Sequence, residues 1–326
     1  MKVAIFSTQS YDREFFNAVN ADFGHELLYL EPALTANTAV LATGCDAVCV
    51  FVNDLVDAAT LTVLHESGIR TVVLRCAGFN QVDLITAKNL NISVFRVPSY
   101  SPEAVAEHAV AMIMTLNRKT HKAYNRIREG NFSLERLTGF NLYGKKVGLI
   151  GLGQIGLAFA KIMHGFGTAV YAYDPVVTAV PSYIQLVDYD QLVTTADIIS
   201  IHCPLNEMTR HMINQESFDK MKDGVMLINT SRGAILDSND AIEALKKGKL
   251  GYLGIDVYEQ EEKLFFRDLS ESLIADEQIL RLMSFPNVLI TAHQGFFTTE
   301  ALREIAGTTL QNLTDAENGK TNQNQL

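Results

Sequence analysis

The sequence predicts an α/β protein made of two doubly wound parallel-sheet domains, and three observations lead there. Short apolar runs alternate with segments of helical period along nearly the whole chain, the pattern of strands joined by crossover helices. The 326 residues suffice for two domains with a full core each. A proline-bracketed polar stretch near residue 100 separates the alternation into two series. The expected division is residues 1–100 with 297–326 in one domain and 101–296 in the other, with a ligand cleft between them as the default site.

In the first series, VAIF (Val3–Phe6), ELLYL (Glu26–Leu30), DAVCVFV (Asp46–Val52), TVVLRC (Thr71–Cys76) and ISVFRV (Ile92–Val97) read as strands. None is followed by a glycine-rich phosphate loop. Pro98 and Pro102 then bracket a hinge. Pro102 suits the first turn of a helix and Ser101 its cap, and Val105, Ala109, Met112 and Leu116 form an apolar stripe.

After a polar stretch the second series begins. KVGLIG (Lys146–Gly151), AVYAYD (Ala169–Asp174), DIISIHCP (Asp197–Pro204), GVMLINTSR (Gly224–Arg232), YLGID (Tyr252–Asp256) and NVLITAH (Asn287–His293) predict a second sheet of six strands. The acidic stretch Glu259–Glu277 reads as a surface loop in which Phe265 and Phe266 cover a small core of their own. Beyond it, Leu302, Ile305, Leu310 and Leu313 mark an amphipathic helix that returns to the first domain, and the tail GKTNQNQL is expected to fray.

The formal net charge is −10 and the Lys and Arg residues are scattered, which argues against nucleic acid and anionic membrane as partners. No apolar run approaches a membrane span, and the apolar start is too short for a signal peptide, so a cytoplasmic protein is expected. Cys45, Cys49, Cys76 and Cys203 form no CxxC pair and read as reduced, buried thiols, with no metal site implied.

Between a strand and an apolar helix lies Gly151-Leu152-Gly153-Gln154-Ile155-Gly156, the dinucleotide fingerprint in the context that gives it meaning. Gly151 permits the turn, Gly153 lets a pyrophosphate approach the backbone, and Gly156 lets helix and strand pack closely. Asp174, 18 residues past Gly156, is placed to bond the adenine-side ribose hydroxyls, and no Arg follows to neutralise a 2′-phosphate. The cofactor expected is therefore NAD.

Each of the six strands ends at a polar or cofactor-like group: Gly151, Asp174, His202-Cys203-Pro204, Ser231-Arg232, Asp256 and His293. Ligands of open parallel sheets bind at that edge. Three positions make a chemical set. Arg232 offers a bidentate grip on a carboxylate. His293 can deliver a proton near neutral pH. Glu261 supplies a carboxylate for the other ring nitrogen, favouring the charged ring and fixing its orientation. His108 and His202 have no partner at informative spacing and read as structural.

These residues resemble the D-2-hydroxyacid dehydrogenase family, most closely its fermentative bacterial D-lactate dehydrogenases. The likeness runs through RCAGFNQVDL, VPSYSPEAVAEHAVAMIMTLNR, GLGQIG, HCPL, INTSRGAILDS, GIDVYEQE and TAHQGFFT in the family's order. It implies reduction of a small anionic 2-keto acid, pyruvate foremost, to its D-2-hydroxy acid by NADH, in a homodimer or homotetramer. The catalytic residues it implies are Arg232, Glu261 and His293, with Ala77, Gly78, Tyr100, Arg232 and Phe296 binding substrate. Gln154, Ile155, Asp174, Cys203, Pro204, Thr209, Thr230, Ser231 and Asp256 match cofactor-contact positions, Asp256 at the nicotinamide carboxamide. Two departures bear on side-chain preference: Gly295, where relatives carry Ala and pocket width is at stake, and Phe51-Val52-Asn53, where some relatives place a Tyr. The competing readings are another D-2-hydroxy acid, such as 2-hydroxyisocaproate or glycerate, and, from a different class, an NAD-sensing binding protein.

Overall fold

In the computed structural model, which describes residues 1–326 except the side chain of Lys263, the chain divides into two units, Met1–Ser101 with Phe297–Leu326, and Pro102–Phe296. The first is built on β1 (Lys2–Ile5), β2 (Glu26–Tyr29), β3 (Ala47–Val50), β4 (Thr71–Leu74) and β5 (Ser93–Phe95), in the order β2-β1-β3-β4-β5, all pairs parallel. β3 and β4 are buried at every residue, as near-continuous apolar runs require when helices cover both faces. β2, at the edge, alternates exposed with half-buried positions. Asp57 and Asp83 cap the helices Ala58–Glu66 and Leu84–Asn89, accepting from the amides of Thr60 and Thr86.

The helix Thr299–Glu317 closes this unit, laying Ala306, Leu310 and Leu313 on Val3, Ile5, Phe16 and Phe95. The polar tail is ordered, contrary to the frayed end expected from its composition. Arg96 N donates to Asn324 O at 3.0 Å and Leu326 N to Val94 O at 2.9 Å, so the tail runs antiparallel to β5 at the bridge Phe95↔Gln325. It covers the open edge of the sheet.

The second unit carries β6 (Lys146–Ile150), β7 (Ala169–Tyr173), β8 (Ile184–Leu186), β9 (Ile198–Ile201), β10 (Val225–Asn229), β11 (Leu250–Ile255) and β12 (Val288–Ile290), ordered β12-β11-β10-β9-β6-β7-β8. The seventh strand, β8, was not expected. Its three residues are too few to show a period, and its pairing with β7 through Val170↔Ile184 is a tertiary fact.

The helix Pro102–Arg118 contributes Ala106, Ala109, Met112, Ile113 and Leu116 to a core with Val147, Leu149, Phe159, Met226 and Ile228. Full burial of each large apolar side chain contributes about 1.5–3 kcal/mol. Phe265 departs from the sequence reading: it joins the main core with Ile235, Leu253 and Tyr258. A helix over Thr120–Arg128, absent from that reading, buries no residue of its own. Among the described residues no helix is long and apolar enough to cross a membrane.

Candidate active site

Along the second sheet the chain runs β6, β7, β8 in one direction, then returns to β9 and continues through β12 the other way. The reversal between β6 and β9 is a topological switch point, where open parallel sheets bind ligands. The residues following each strand therefore line up across the edge in the order His293, Asp256, Ser231-Arg232, Cys203-Pro204, Gly151 and Asp174, with neighbouring strands about 4.8 Å apart. A chemical end and a nucleotide end are thus separated by strand order alone.

At the nucleotide end a cavity of about 370 Å³ is lined by Gly151, Gly153, Asp174, Cys203, Pro204 and Thr209, among others. Gly151 has φ +99°, and a Cβ there would stand 2.6 Å from Cys203 N; one at Gly156 would stand 2.3 Å from Gly151 O. Both glycines are required by the protein itself. Gly153 differs: among the described residues nothing lies within 4 Å of its would-be Cβ, and it opens on the cavity. It caps the helix Gln154–Gly165, where Gln154 and Ile155 form the first turn and helix dipole and first-turn amides favour an anion.

Asp174 accepts from the amides of Leu152 (2.8 Å), Val176 (2.9 Å) and Val177 (3.2 Å). Burial pulls its carboxyl upward, but these amides outweigh it and hold the group below its ordinary value. A carboxylate held ionised in this way is an acceptor for hydroxyl groups and repels phosphate.

Thr209 Oγ1 donates to Pro204 O at 2.7 Å and Ser231 Oγ to Cys203 O at 2.5 Å. Burial raises the Cys203 thiol to about 11, so it lines the cavity without thiolate chemistry. Thr230 Oγ1 is buried with no hydrogen-bond partner among the described residues. A native protein rarely leaves such a hydroxyl orphaned, and a missing ligand is one explanation. These features fit a dinucleotide.

At the chemical end, His293 Nδ1 lies 2.8 Å from Glu261 Oε1, and Glu261 Oε2 accepts from Tyr258 N at 2.8 Å. With the carboxylate acting only as acceptor, Nδ1 carries a hydrogen and Nε2 is left for proton transfer. His293 has φ +53°, a left-handed conformation uncommon for a residue with a side chain and concentrated at functional positions. The Phe266 ring lies 6.0 Å from the imidazole, centre to centre.

Arg232 follows β10, its carbonyl held by Asn229 Nδ2 at 2.9 Å and its Nη1 donating to Ser231 O at 2.7 Å. Its neighbour Gly233 approaches so closely that a Cβ would meet Tyr258 C at 2.1 Å. The turn bearing Arg232 is thereby pressed onto Tyr258, three residues before Glu261. So Glu261 and His293 are in direct contact, while Arg232 is tied to them through backbone packing.

Two groups escaped the sequence reading. His108 is not an isolated structural residue: its Nε2 lies 3.3 Å from Asp256 Oδ1 and 3.0 Å from Thr291 Oγ1. His211 Nε2 lies 2.6 Å from Glu259 Oε1, tying the segment that lines the cavity to the one that leads into Glu261. Both partners are far away in sequence, and no local signal marks them. His202 keeps its structural reading, its Nε2 2.9 Å from Ser200 Oγ and its ring kept neutral because burial pushes its pKa down to about 3. Asp256 is 1% exposed, with both carboxylate oxygens already engaged by protein donors. Gly295 also reads differently in place: its would-be Cβ faces Asp256 Oδ2 at 3.0 Å and His108 Cδ2 at 3.6 Å, so it bears on that pair.

The remaining candidates are Phe296, buried at the end of this unit, and three residues of the first unit. Ala77 and Gly78 follow β4, where Ala77 O accepts from Arg96 Nη1 at 3.0 Å and Gly78 O from Cys76 Sγ at 3.3 Å. Tyr100 stands in the stretch before Pro102. Phe51, the departure noted above, carries the Arg75 guanidinium 4.8 Å over its ring.

Residues 110–295 match the family model described as D-isomer specific 2-hydroxyacid dehydrogenase, NAD binding domain. The chain belongs to that family. It is 51% identical to a D-lactate dehydrogenase of Escherichia coli (strain K12), with all of both chains covered. The apo structure of D-lactate dehydrogenase from Escherichia coli superposes with a TM-score of 0.91 at 49% identity over all of both chains. That of the Lactobacillus jensenii D-lactate dehydrogenase with NAD⁺ does so at 0.84 and 33% identity, covering 100% of this chain and 99% of the other. As a member of this family the protein is an NAD-dependent oxidoreductase acting on 2-hydroxy acids.

Proposed function

We propose that this 2-hydroxyacid dehydrogenase reduces pyruvate to D-lactate, with Arg232, Glu261 and His293 as its catalytic residues. The observation that carries the reading is the 2.8 Å contact of Glu261 with the ring of His293, on a sheet edge that also presents Arg232 and continues into a dinucleotide cradle. NADH, when bound, supplies the hydride. Arg232 grips the substrate carboxylate with its planar fork and polarises the neighbouring carbonyl. His293 Nε2 donates the proton taken up by the keto oxygen, and Glu261, bonded to Nδ1, fixes tautomer and orientation. A carboxylate beside the His suits a reaction that moves a proton, and so separates this site from hydride transfers that release none.

On the resemblance, Gly151, Gly153, Gln154, Ile155 and Gly156 hold the pyrophosphate and Asp174 the adenine-side ribose. Cys203, Pro204, Thr209, Thr230, Ser231 and Asp256 complete the cofactor contacts. The same likeness assigns Ala77, Gly78, Tyr100 and Phe296 to the substrate. The names of the relatives support pyruvate and D-lactate as the pair. NADH oxidation against a panel of 2-keto acids, with the handedness of each product determined, tests this: a strong preference for a longer keto acid, or an L product, overturns it. NADH binding with no turnover on any keto acid would make the chain a sensor.

His293→Ala is expected to lower turnover about a hundredfold or more while NADH binding persists. Near-normal turnover would remove His293 from the mechanism.

We also infer a homo-oligomer in the cytoplasm. The helix Thr120–Arg128 and the segment after it expose Tyr124, Ile127, Phe132 and Leu134 by more than half, an apolar surface suited to a second copy. Sedimentation of a monomer at micromolar concentration would refute it.

A further inference from the structure

We propose that His108 is a positioning residue for the proton donor: through the Asp256 carboxylate it holds the left-handed turn on which His293 sits. The proposal rests on the reading of His293 as the donor.

Four protein groups converge on Asp256. Thr291 Oγ1 donates to its Oδ1 at 2.6 Å, the amide of Gln294 to Oδ1 at 2.8 Å and the amide of Gly295 to Oδ2 at 2.8 Å, and His108 Nε2 lies 3.3 Å from Oδ1. The backbone carbonyl of Asp256 accepts the amide of His293 itself at 2.7 Å. Thus the residue before the turn and the amides of the three residues within it all end on one aspartate. A non-glycine residue at φ +53° is uncommon, and the bonds that end on this aspartate hold the backbone there.

A carboxylate 1% exposed needs a donor fixed on a rigid element, or it will shift toward water. His108 holds its Nε2 3.3 Å from that carboxylate. It stands in the first half of the helix Pro102–Arg118, between the buried residues Ala106 and Ala109, and its Nε2 also reaches Thr291 Oγ1 at 3.0 Å. One ring nitrogen therefore braces both ends of the Thr291–Asp256 bond. Remote support of this kind controls rate because a reacting group displaced by about 1 Å costs on the order of a hundredfold.

The test compares His108→Leu and His108→Gln in the full chain. Leu removes the donor; Gln restores an N–H. His108→Leu is expected to lower kcat by about ten- to a hundredfold while pyruvate KM stays within about threefold. Hydrogen exchange of the amides of residues 293–295 should quicken in the same variant, a readout independent of turnover. His108→Gln is expected to recover most of both. Should His108→Leu fail to fold, Thr291→Val, which removes another donor to the same carboxylate, must shift kcat and exchange in the same direction.

A kcat within twofold of the parent in His108→Leu, or a loss confined to NADH affinity, overturns the proposal. So does failure of Gln to restore what Leu removes. An active His293→Ala would instead bring down the donor assignment itself, which separates the two failures.

Discussion

The C-terminal edges of the two sheets are built from the same parallel strands yet dispose of their polar groups in opposite ways. In the first unit the charged groups are bonded to one another and to the backbone. Arg75, 2% exposed, pairs with Asp12 at 3.2 Å and donates to Ser7 O at 2.9 Å, while Asp54 accepts from Ser7 Oγ, Leu34 N and Phe51 N. In the second unit the edge opens on a cavity of about 370 Å³, with space above Gly153. Each edge holds a buried polar atom with no partner among the described residues, Arg75 Nη1 in the first and Thr230 Oγ1 in the second, so what separates scaffold from site is the cavity and the open phosphate turn.

The largest expected effect comes from breaking the ion-paired edge. Arg75→Met leaves Asp12 buried without its cation and should cost about 3–5 kcal/mol of stability, read from urea denaturation; a loss below about 1 kcal/mol would mean that the carboxylate finds another partner. On the open edge, Arg232→Lys exchanges a planar fork for a point charge. It should lower kcat/KM for pyruvate by about 2 kcal/mol, roughly thirtyfold, with NADH affinity unchanged; an unaltered kcat/KM would remove Arg232 as the carboxylate anchor.

His202 gives the comparison a pH axis. Its folded pKa of about 3 lies below the ordinary 6.5, so between those values the unfolded chain binds a proton that the folded chain does not. Stability is therefore lost as pH falls through that window, by about 2 kcal/mol at pH 5 from this group. His202→Gln should flatten the decline between pH 7 and pH 5, and an unchanged slope would show that His202 does not set it.

The smallest effect is the most specific. Thr230→Val replaces the orphan hydroxyl with a methyl, and should raise apo stability by about 1 kcal/mol while weakening NADH several-fold. Lower apo stability would mean that the hydroxyl is already satisfied by water.

Much of this was legible in the chain, for reasons that differ by residue. Gly151, Gly156 and Asp174 could be read because one turn, one helix start and one strand end lie within a few dozen residues. Arg232, Glu261 and His293 could be read as residue types following strands, since parallel topology sends every strand end to the same edge. By contrast β8 was too short to show a period, and the ordered tail was hidden because its backbone, rather than its side chains, does the pairing. Phe265 was misplaced because an acidic neighbourhood says nothing about where one ring points.

By itself the sequence determined the alternation of strands and helices, the phosphate turn and the chemical types available at the strand ends, because these depend on periodicity and local backbone preference. Only the tertiary structure decided that His108 braces Asp256 from a helix more than a hundred residues away, that Gly233 presses the Arg232 turn against Tyr258, and that one sheet edge buries an ion pair while the other opens on a cavity. Those outcomes depend on which side chains meet across the fold. Such meetings are set by strand order and close packing, and linear spacing carries no trace of them.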